Sequence, residues 1–159
     1  MPKHGKHIEV IARGLVMSGR WMLLCRNLAK GYFYLPGGHV EFGEPAAAAL
    51  SRELMEECGL RSKAGPLLLL EEGSFRAGGR VHHELNLVFH VKHSSKRTSR
   101  PPDIRSREPH IGFEWVKAED LASIDFRPKT IRTWLLARRG SPQSTVPRET
   151  PSWFSSISR

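Results

Sequence analysis

Cysteine is scarce in this chain: its 159 residues include two, Cys25 and Cys58. Two cysteines make neither the disulfide framework of a small secreted protein nor a structural zinc site. The four histidines between residues 82 and 93 do not complete a zinc site either, because strand alternation divides them between two faces. Both thiols are therefore expected to be free and buried.

Long apolar runs are also missing. No segment approaches the ~18 consecutive apolar residues that suggest a membrane span, and the first residues, MPKHGKH, lack the apolar stretch of a signal peptide. Apolar residues still make up 39% of the chain, which is enough for a core. The sequence predicts one domain over residues 1–139, cytoplasmic and without membrane contact. A basic, Ser- and Pro-containing tail over residues 140–159 is expected to be flexible.

Acidic residues are outnumbered, with 16 Asp and Glu against 25 Lys and Arg and a formal net charge of +9. A strongly basic chain favours polyanionic partners, although net charge informs on association rather than on activity. Nucleotides and RNA both satisfy this expectation. The segment 92–107 is a long basic loop to which the sequence assigns no definite role.

Apolar periodicity predicts the order of the secondary structure. Strands are expected over residues 8–16, 21–26, 32–35, 66–72, 81–93 and 111–116, and helices over 45–58 and 128–139. Pro36 to Gly38 is expected to be a break that presents backbone. In the strand 81–93, the face that begins with Val81 is expected to be core, and the face that includes Asn86 and Val88 is expected to be the polar side.

The first helix carries a dense acidic pattern. Gly38 is followed after five residues by Glu44, and seven residues later by the run Arg52-Glu53-Leu54-Met55-Glu56-Glu57-Cys58-Gly59-Leu60. Three of its glutamates stand at i, i+3 and i+4, so a helix brings their Cβ atoms within about 5–6 Å. Such repulsion is relieved by a hard divalent cation, because Mg²⁺ and Mn²⁺ prefer oxygen ligands. A solvated acidic face is the alternative interpretation of these glutamates.

This pattern resembles the Nudix box, and every defining position is present. The resemblance implies an α/β (α+β) Nudix fold, with a mixed β-sheet sandwiched between α-helices. It also implies a MutT-like hydrolase with pyrophosphatase activity, in which water attacks phosphorus with the help of a bound Mg²⁺ (or Mn²⁺). The substrate would be a nucleoside diphosphate linked to another group: a nucleoside triphosphate, a nucleotide sugar or a dinucleoside polyphosphate.

The resemblance also suggests what the box residues do. Glu56 and Glu57 look like the main metal ligands, Glu53 like a further ligand or the general base, and Gly38 like a backbone ligand. Arg52 is expected to orient the carboxylates, and it completes the catalytic set with Glu53 and Glu57. Two further positions belong to the box. Glu44 would assist the metal shell or cap the helix, and Gly59 would end the helix.

Outside the box, the candidates are fewer and individually weaker. Arg13 is a candidate phosphate contact, and Tyr34 a candidate to stack on a base. Glu84, Glu108 and Glu114 are candidates for an acidic ligand that some relatives take from outside the box. Each of these residues has a purely structural alternative, as a core aromatic or a solvated surface charge.

Two other functions remain open. One is hydrolysis at the 5′ end of RNA, which the basic segments would favour. The other is a non-catalytic nucleotide-binding module, although such relatives commonly lose box carboxylates and this chain has lost none. No proline lies between Pro66 and Pro101, so the proline that marks many ADP-ribose hydrolases of this family is absent.

Overall fold

The computed structural model describes residues 6–93, 101–138 and 152–155. The strands are β1 (Glu9–Ser18), β2 (Trp21–Asn27), β3 (Phe33–Tyr34), β4 (Gly37–His39), β5 (Ser62–Ala77), β6 (Arg80–His93), β7 (Ile111–Lys117) and β8 (Ser152–Ser155). The helices are α1 (Ala46–Cys58) and α2 (Lys129–Ala137), and a 3-10 helix spans Ala118–Ser123. The order of strands and helices predicted from the sequence is confirmed, with additions at β4 and β8.

The strands form one mixed sheet in the order β3-β2-β1-β6-β5-β8, to which β4 adds beside β1 and β7 beside β2. β1 and β6 pair in parallel, whereas β5 and β6 form a long antiparallel hairpin. Side chains of β1 alternate between two cores: Ala12 and Val16 pack with α1, and Leu15 packs with α2. The mixed sheet therefore lies between two helices, which confirms the expected fold class.

The face assignment of β6 is correct at Val91, which lies on the face expected to be core and is 2% exposed, but it is wrong at other positions. Asn86 is 1% exposed and Val88 is fully buried, although both belong to the face expected to be polar. Val81, from the face expected to be core, is 61% exposed. The cause is that helices cover both faces of the sheet at the middle of β6, whereas the start of β6 belongs to a hairpin end outside the core.

Three smaller expectations can be compared with the structure. Cys25 and Cys58 are both free, and Cys25 is buried while Cys58 is half-buried. The expected break at Pro36 to Gly38 instead contains β4, which pairs with β1. Within the segment expected to be a flexible tail, Ser152–Ser155 forms β8 and pairs in parallel with β5, while residues 140–151 and 156–159 lie outside the described part of the chain.

In the described residues, no helix combines the length and apolarity of a membrane span.

Candidate active site

Helix α1 positions the acidic residues of the candidate site. Pro45 precedes the helix with φ −62°, a place where a missing N–H costs nothing, and a run of alanines continues from it. Ala49, Leu50 and Leu54 are the buried residues of α1 and hold it against the sheet. Because this apolar stripe fixes the rotation of α1, its acidic residues face away from the core or along the edge of the core.

The helix ends where the sequence predicts. Gly59 has a left-handed backbone with φ 68°. The N–H of Gly59 donates to the Met55 carbonyl at 3.0 Å, and that of Leu60 donates to the Leu54 carbonyl at 3.2 Å. A side chain at residue 59 would be strained in this conformation, so glycine is required to turn the chain out of α1.

Arg52 joins the acidic groups of the box. Its Nε and Nη2 donate to the two carboxylate oxygens of Glu44 at 2.8 and 3.0 Å. Its Nη1 donates to Glu53 at 2.8 Å and to Glu56 at 3.2 Å, and Nη2 also donates to the His39 carbonyl at 3.2 Å. A planar guanidinium suits such multiple contacts, which hold three carboxylates in a fixed relation to β4.

Glu44 contacts the loop before α1 as well as Arg52. It accepts a hydrogen bond from the Glu41 backbone N–H at 3.2 Å, and Pro45 occupies the N-cap position, where no side chain caps the helix. The hydrogen bond from Arg52, followed by that from Glu41, lowers the pKa of Glu44, so this carboxylate stays ionised. In this structure Glu44 therefore anchors Arg52 and does not cap α1.

Gly38 lies directly against the carboxylate of Glu53. A Cβ at residue 38 would sit 2.6 and 2.7 Å from the two carboxylate oxygens of Glu53, closer than real Cβ contacts allow. At Gly37, which has φ 140°, a Cβ would collide with the Ala12 carbonyl. The two glycines therefore let the backbone of β4 approach both β1 and the acidic side of α1.

Glu57 is the most unusual carboxylate of the site. Its Oε2 is buried and has no hydrogen-bond partner among the described residues. Burial, followed by the charge of Glu53, raises the pKa of Glu57 to about 7, and the nearby charges of Glu108 and Glu56 act in the same direction. A buried and unsatisfied carboxylate oxygen is costly unless a ligand completes it.

These features fit a divalent cation. Oxygen donors with net negative charge suit Mg²⁺ or Mn²⁺, and the orphaned oxygen of Glu57 lacks the positive partner that a cation would provide. In the described part of the chain, however, no three His, Cys, Asp or Glu side chains are already arranged as a ligand set. The carboxylates of Glu53 and Glu56 instead form ion pairs with Arg52, at 2.8 and 3.2 Å.

The described end of the basic loop crosses the C-terminal end of α1. The backbone N–H of Arg107 donates to the Glu57 carbonyl at 2.7 Å, and its Nη1 donates to the Met55 carbonyl at 3.1 Å. The Glu57 carbonyl is one that the end of a helix leaves free, whereas the Met55 carbonyl also accepts from the Gly59 N–H. Glu108, the next residue, thereby lies close enough for its charge to act on Glu57.

Some of the candidates outside the box lie beside it, whereas others make contacts elsewhere. Arg13 lies with its Cζ 5.4 Å from the centre of the Tyr34 ring, and its charge acts on Glu57, so both residues lie beside the box. Glu84 accepts a 3.4 Å hydrogen bond from Asn86 on the same strand. Glu114 instead forms an exposed ion pair with Arg26 at 3.1 Å, an interaction outside the acidic cluster.

Sequence reasoning missed residues that support the site. Arg107 went unnoticed because its partner carbonyls on α1 leave no trace in the sequence. Asn86, Glu71 and Thr130 form a hydrogen-bonded chain that ends at Arg13 and is buried at Asn86 and Glu71. A usable signal was present, because Glu71 directly follows the apolar run 67–70 in a strand, where a carboxylate is expected only if it has partners.

Comparison with known proteins identifies the family. The family model of the NUDIX domain matches residues 6–136. A protein of Mycobacterium tuberculosis (strain H37Rv), provisionally named 8-oxo-dGTP diphosphatase 2, is 28% identical over 131 residues, which cover 80% of this chain and 85% of that protein. The ADP-ribose pyrophosphatase of Methanocaldococcus jannaschii is 42% identical over 65 residues, which cover 39% of this chain and 38% of that protein.

The fold agrees with a solved structure. The crystal structure of a MutT protein from Methanosarcina mazei Go1 superimposes with a TM-score of 0.63 at 20% identity, and covers 85% of this chain and 95% of that chain. At this identity the likeness concerns the fold alone. Membership of the family is shown by the family model, and the intact box agrees with it. This chain belongs to the Nudix family and is a MutT-like Nudix hydrolase.

Proposed function

We propose that this hydrolase cleaves a phosphoanhydride bond of a nucleoside triphosphate, with a nucleotide sugar of the ADP-ribose type as the second substrate class. The observation that carries the proposal is the buried Oε2 of Glu57, which has no hydrogen-bond partner among the described residues and belongs to an intact Nudix box. A buried carboxylate oxygen without a hydrogen-bond partner is costly, and a cation bound together with a phosphate chain would supply the missing partner.

The metal is proposed to be Mg²⁺ or Mn²⁺, held by Glu56 and Glu57 with help from Glu53 and the carbonyl of Gly38. When bound, it would supply the positive charge that acidifies water and stabilises charge on the phosphates. Arg52 holds the carboxylate of Glu53 beside Gly38 through the 2.8 Å hydrogen bond. The contribution of Arg52 is therefore to set the geometry of the carboxylates and not to contact the substrate.

Two carboxylates are proposed as alternatives for the general base. Glu53 lies at Gly38 in the acidic cluster, whereas Glu108 approaches Glu57 from the loop that Arg107 fastens to α1. A base must take a proton from water that attacks phosphorus, so its removal lowers kcat and flattens the acidic limb of the pH profile. Glu53→Gln and Glu108→Gln, compared at saturating metal, decide between them.

The names of relatives support the order of the substrate classes. The M. tuberculosis protein, whose name specifies a nucleoside triphosphate, aligns along most of both chains. The M. jannaschii protein, whose name specifies ADP-ribose, aligns over a segment of 65 residues. The proline that marks many ADP-ribose hydrolases of this family is absent, since no proline lies between Pro66 and Pro101, which agrees with placing nucleoside triphosphates first.

A substrate panel with product identification tests the proposal. Canonical and oxidised nucleoside triphosphates, ADP-ribose, other nucleotide sugars and dinucleoside polyphosphates are incubated with Mg²⁺ or Mn²⁺. We expect a triphosphate to give a nucleoside monophosphate and pyrophosphate, and ¹⁸O from water to mark the phosphorus attacked. Hydrolysis of nucleotide sugars alone would reverse the order of the classes. Absence of hydrolysis across the panel would leave only nucleotide binding as a function.

The net charge of +9 favours a second candidate, hydrolysis at the 5′ end of RNA. Part of the basic segment, residues 94–100, lies outside the described residues. Binding along an RNA backbone releases counterions, and its affinity falls steeply with salt. A triphosphorylated RNA that is cleaved faster than free nucleotides, with a KM that rises steeply with salt, would favour this candidate.

A further inference from the structure

Four polar side chains from four different elements form a continuous chain through the α2 side of the sheet. Arg13 of β1 donates from Nε to the Asn86 Oδ1 at 3.1 Å, and Asn86 of β6 donates from Nδ2 to the Glu71 Oε2 at 2.8 Å. Thr130, in the first turn of α2, donates its hydroxyl to the Glu71 Oε1 at 2.6 Å. The chain therefore runs from the start of α2 to Arg13.

The middle of this chain is buried. Glu71 and Asn86 are each 1% exposed. A buried carboxylate is stable only when its oxygens accept hydrogen bonds, and here each oxygen accepts one. A carboxylate can only accept and a guanidinium can only donate, so the amide of Asn86 has one possible orientation. The negative charge of Glu71 is thus connected to the positive charge of Arg13 through an amide of fixed direction.

The other end of the chain reaches the candidate active site. The Nη1 of Arg13 donates to the Leu35 carbonyl at 3.3 Å, directly before the Pro36-Gly37-Gly38 segment. Its guanidinium lies near the ring of Tyr34, and its charge acts on Glu57. Nε and Nη1 are therefore used for positioning, whereas no acceptor in the described part of the chain engages Nη2.

We propose that Arg13 binds an oxygen acceptor of the nucleotide substrate, and that Asn86 and Glu71 are positioning residues that hold Arg13 for this contact. The inference rests on the proposed function for the presence of a nucleotide at the box, but it concerns binding and not hydrolysis. An alternative would be that Glu71 only fastens α2 to the sheet through Thr130. The two explanations differ in whether Glu71 affects nucleotide binding through Arg13.

A double-mutant cycle on ligand binding distinguishes them. Dissociation constants for dGMP and AMP, which have no anhydride bond to cleave, are measured by calorimetry with Mg²⁺. The proteins are the wild type, Arg13→Gln, Glu71→Gln and the double variant. Thr130→Val is the control, because it removes the hydrogen bond from α2 to Glu71 and leaves the hydrogen bonds from Glu71 through Asn86 to Arg13 in place.

We expect Arg13→Gln to weaken nucleotide binding roughly tenfold, as for the loss of one charged hydrogen bond, and Glu71→Gln to weaken it several-fold. In the double variant, Glu71→Gln should add nothing to the effect of Arg13→Gln. Thr130→Val should lower the melting temperature and change the dissociation constants less than about twofold. Arg13→Lys, which keeps the charge but not the planar fork, should recover only part of the affinity.

Two further ligands locate the oxygen that Arg13 contacts. If Arg13→Gln also weakens the binding of inorganic phosphate, the acceptor is a phosphate oxygen. If it weakens the binding of guanosine instead, the acceptor is on the nucleoside. The inference is overturned if Arg13→Gln binds dGMP and AMP as the wild type does, if neither nucleotide binds the wild type, or if the effects of Arg13 and Glu71 add. Failure of the hydrolysis panel alone leaves this binding result intact.

Discussion

The guanidinium of Arg52 and the carboxylate of Glu44 face each other in a two-point ion pair, with Nε to Oε1 at 2.8 Å and Nη2 to Oε2 at 3.0 Å. This pair leaves Nη1 of Arg52 for Glu53 and Glu56. The loop before α1 is thus connected through Arg52 to the carboxylates proposed to bind metal. Arg52 is 27% exposed, so its surroundings limit the orientations that its guanidinium can adopt.

Replacing Arg52 by lysine should therefore damage catalysis more than stability. An ammonium keeps the charge but cannot contact Glu44 at two points and Glu53 at the same time. We expect kcat to fall about 10- to 100-fold, as for other residues that orient metal ligands, while the melting temperature changes little. Steady-state kinetics and thermal unfolding check this, with Arg20→Lys, in the exposed pair with Glu119, as the control. An unchanged kcat would mean that the Arg52 contacts are not needed for catalysis.

Gly38→Ala should slow catalysis because it displaces Glu53. The new methyl group would sit 2.6 Å from a Glu53 carboxylate oxygen, so Glu53 must leave its position beside the backbone. We expect a folded protein with at least about a tenfold loss of kcat, because catalytic groups tolerate little displacement. Gly43→Asn is the control, since Gly43 has φ 80° with open space around it, and asparagine accepts this conformation. Equal activity of both variants with the wild type would show that the contact between Gly38 and Glu53 is dispensable.

Removal of metal should give an unusual pH dependence of stability. Burial, with the charge of Glu53, raises the pKa of Glu57 from 4.5 to about 7, so between these values the folded state holds a proton more tightly than the unfolded state. The contribution of Glu57 to stability is therefore greatest below pH 4.5 and is lost as the pH rises to about 7.

Thermal unfolding in EDTA across this pH window measures the effect. The melting temperature of the wild type should fall with rising pH relative to that of Glu57→Gln, which has no proton to lose. Added Mg²⁺ should reduce the difference, because a cation compensates the charge of Glu57. Parallel pH profiles of the two proteins in EDTA would contradict the elevated pKa of Glu57.

Arg107 should contribute to the stability of α1. Its side chain donates to the Met55 carbonyl at 3.1 Å and places a positive charge at the C-terminal end of the helix. Arg107→Ala is expected to lower the free energy of unfolding by about 1 kcal/mol, which corresponds to roughly 2–4 °C in melting temperature. Arg105→Ala, at an exposed position of the same loop, is the control and should leave the melting temperature unchanged. Equal melting temperatures for both variants would exclude a stabilising role of Arg107.

The sequence predicts the elements of this site better than their surroundings. The spacing from Gly38 to Gly59 predicts α1, its end and the relative positions of the glutamates, because these depend on helix geometry alone. The burial of Asn86 and Glu71 could not be derived in this way. It depends on α2, which covers the second face of the sheet. Glu71 and Thr130, which meet there, are 59 positions apart in the sequence.

The contacts of Arg52 show the same limit in another form. Its pairing with Glu56 follows from the i, i+4 spacing, and the structure confirms it at 3.2 Å. Its pairing with Glu44 and the His39 carbonyl depends on the path of the loop before α1, which local spacing does not define. Residues in one helix can be placed from the sequence, whereas contacts between elements require the fold.

Manganese binding by the wild type and by Glu57→Gln tests the central claim most directly. Titration calorimetry, with Glu119→Gln as the surface control, should show Mn²⁺ uptake by the wild type and the control. Glu57→Gln should bind at least about tenfold more weakly and should lose nucleotide hydrolysis. Equal Mn²⁺ affinity in the wild type and Glu57→Gln, or full hydrolysis by Glu57→Gln, would contradict the assignment of the buried carboxylate as the metal anchor.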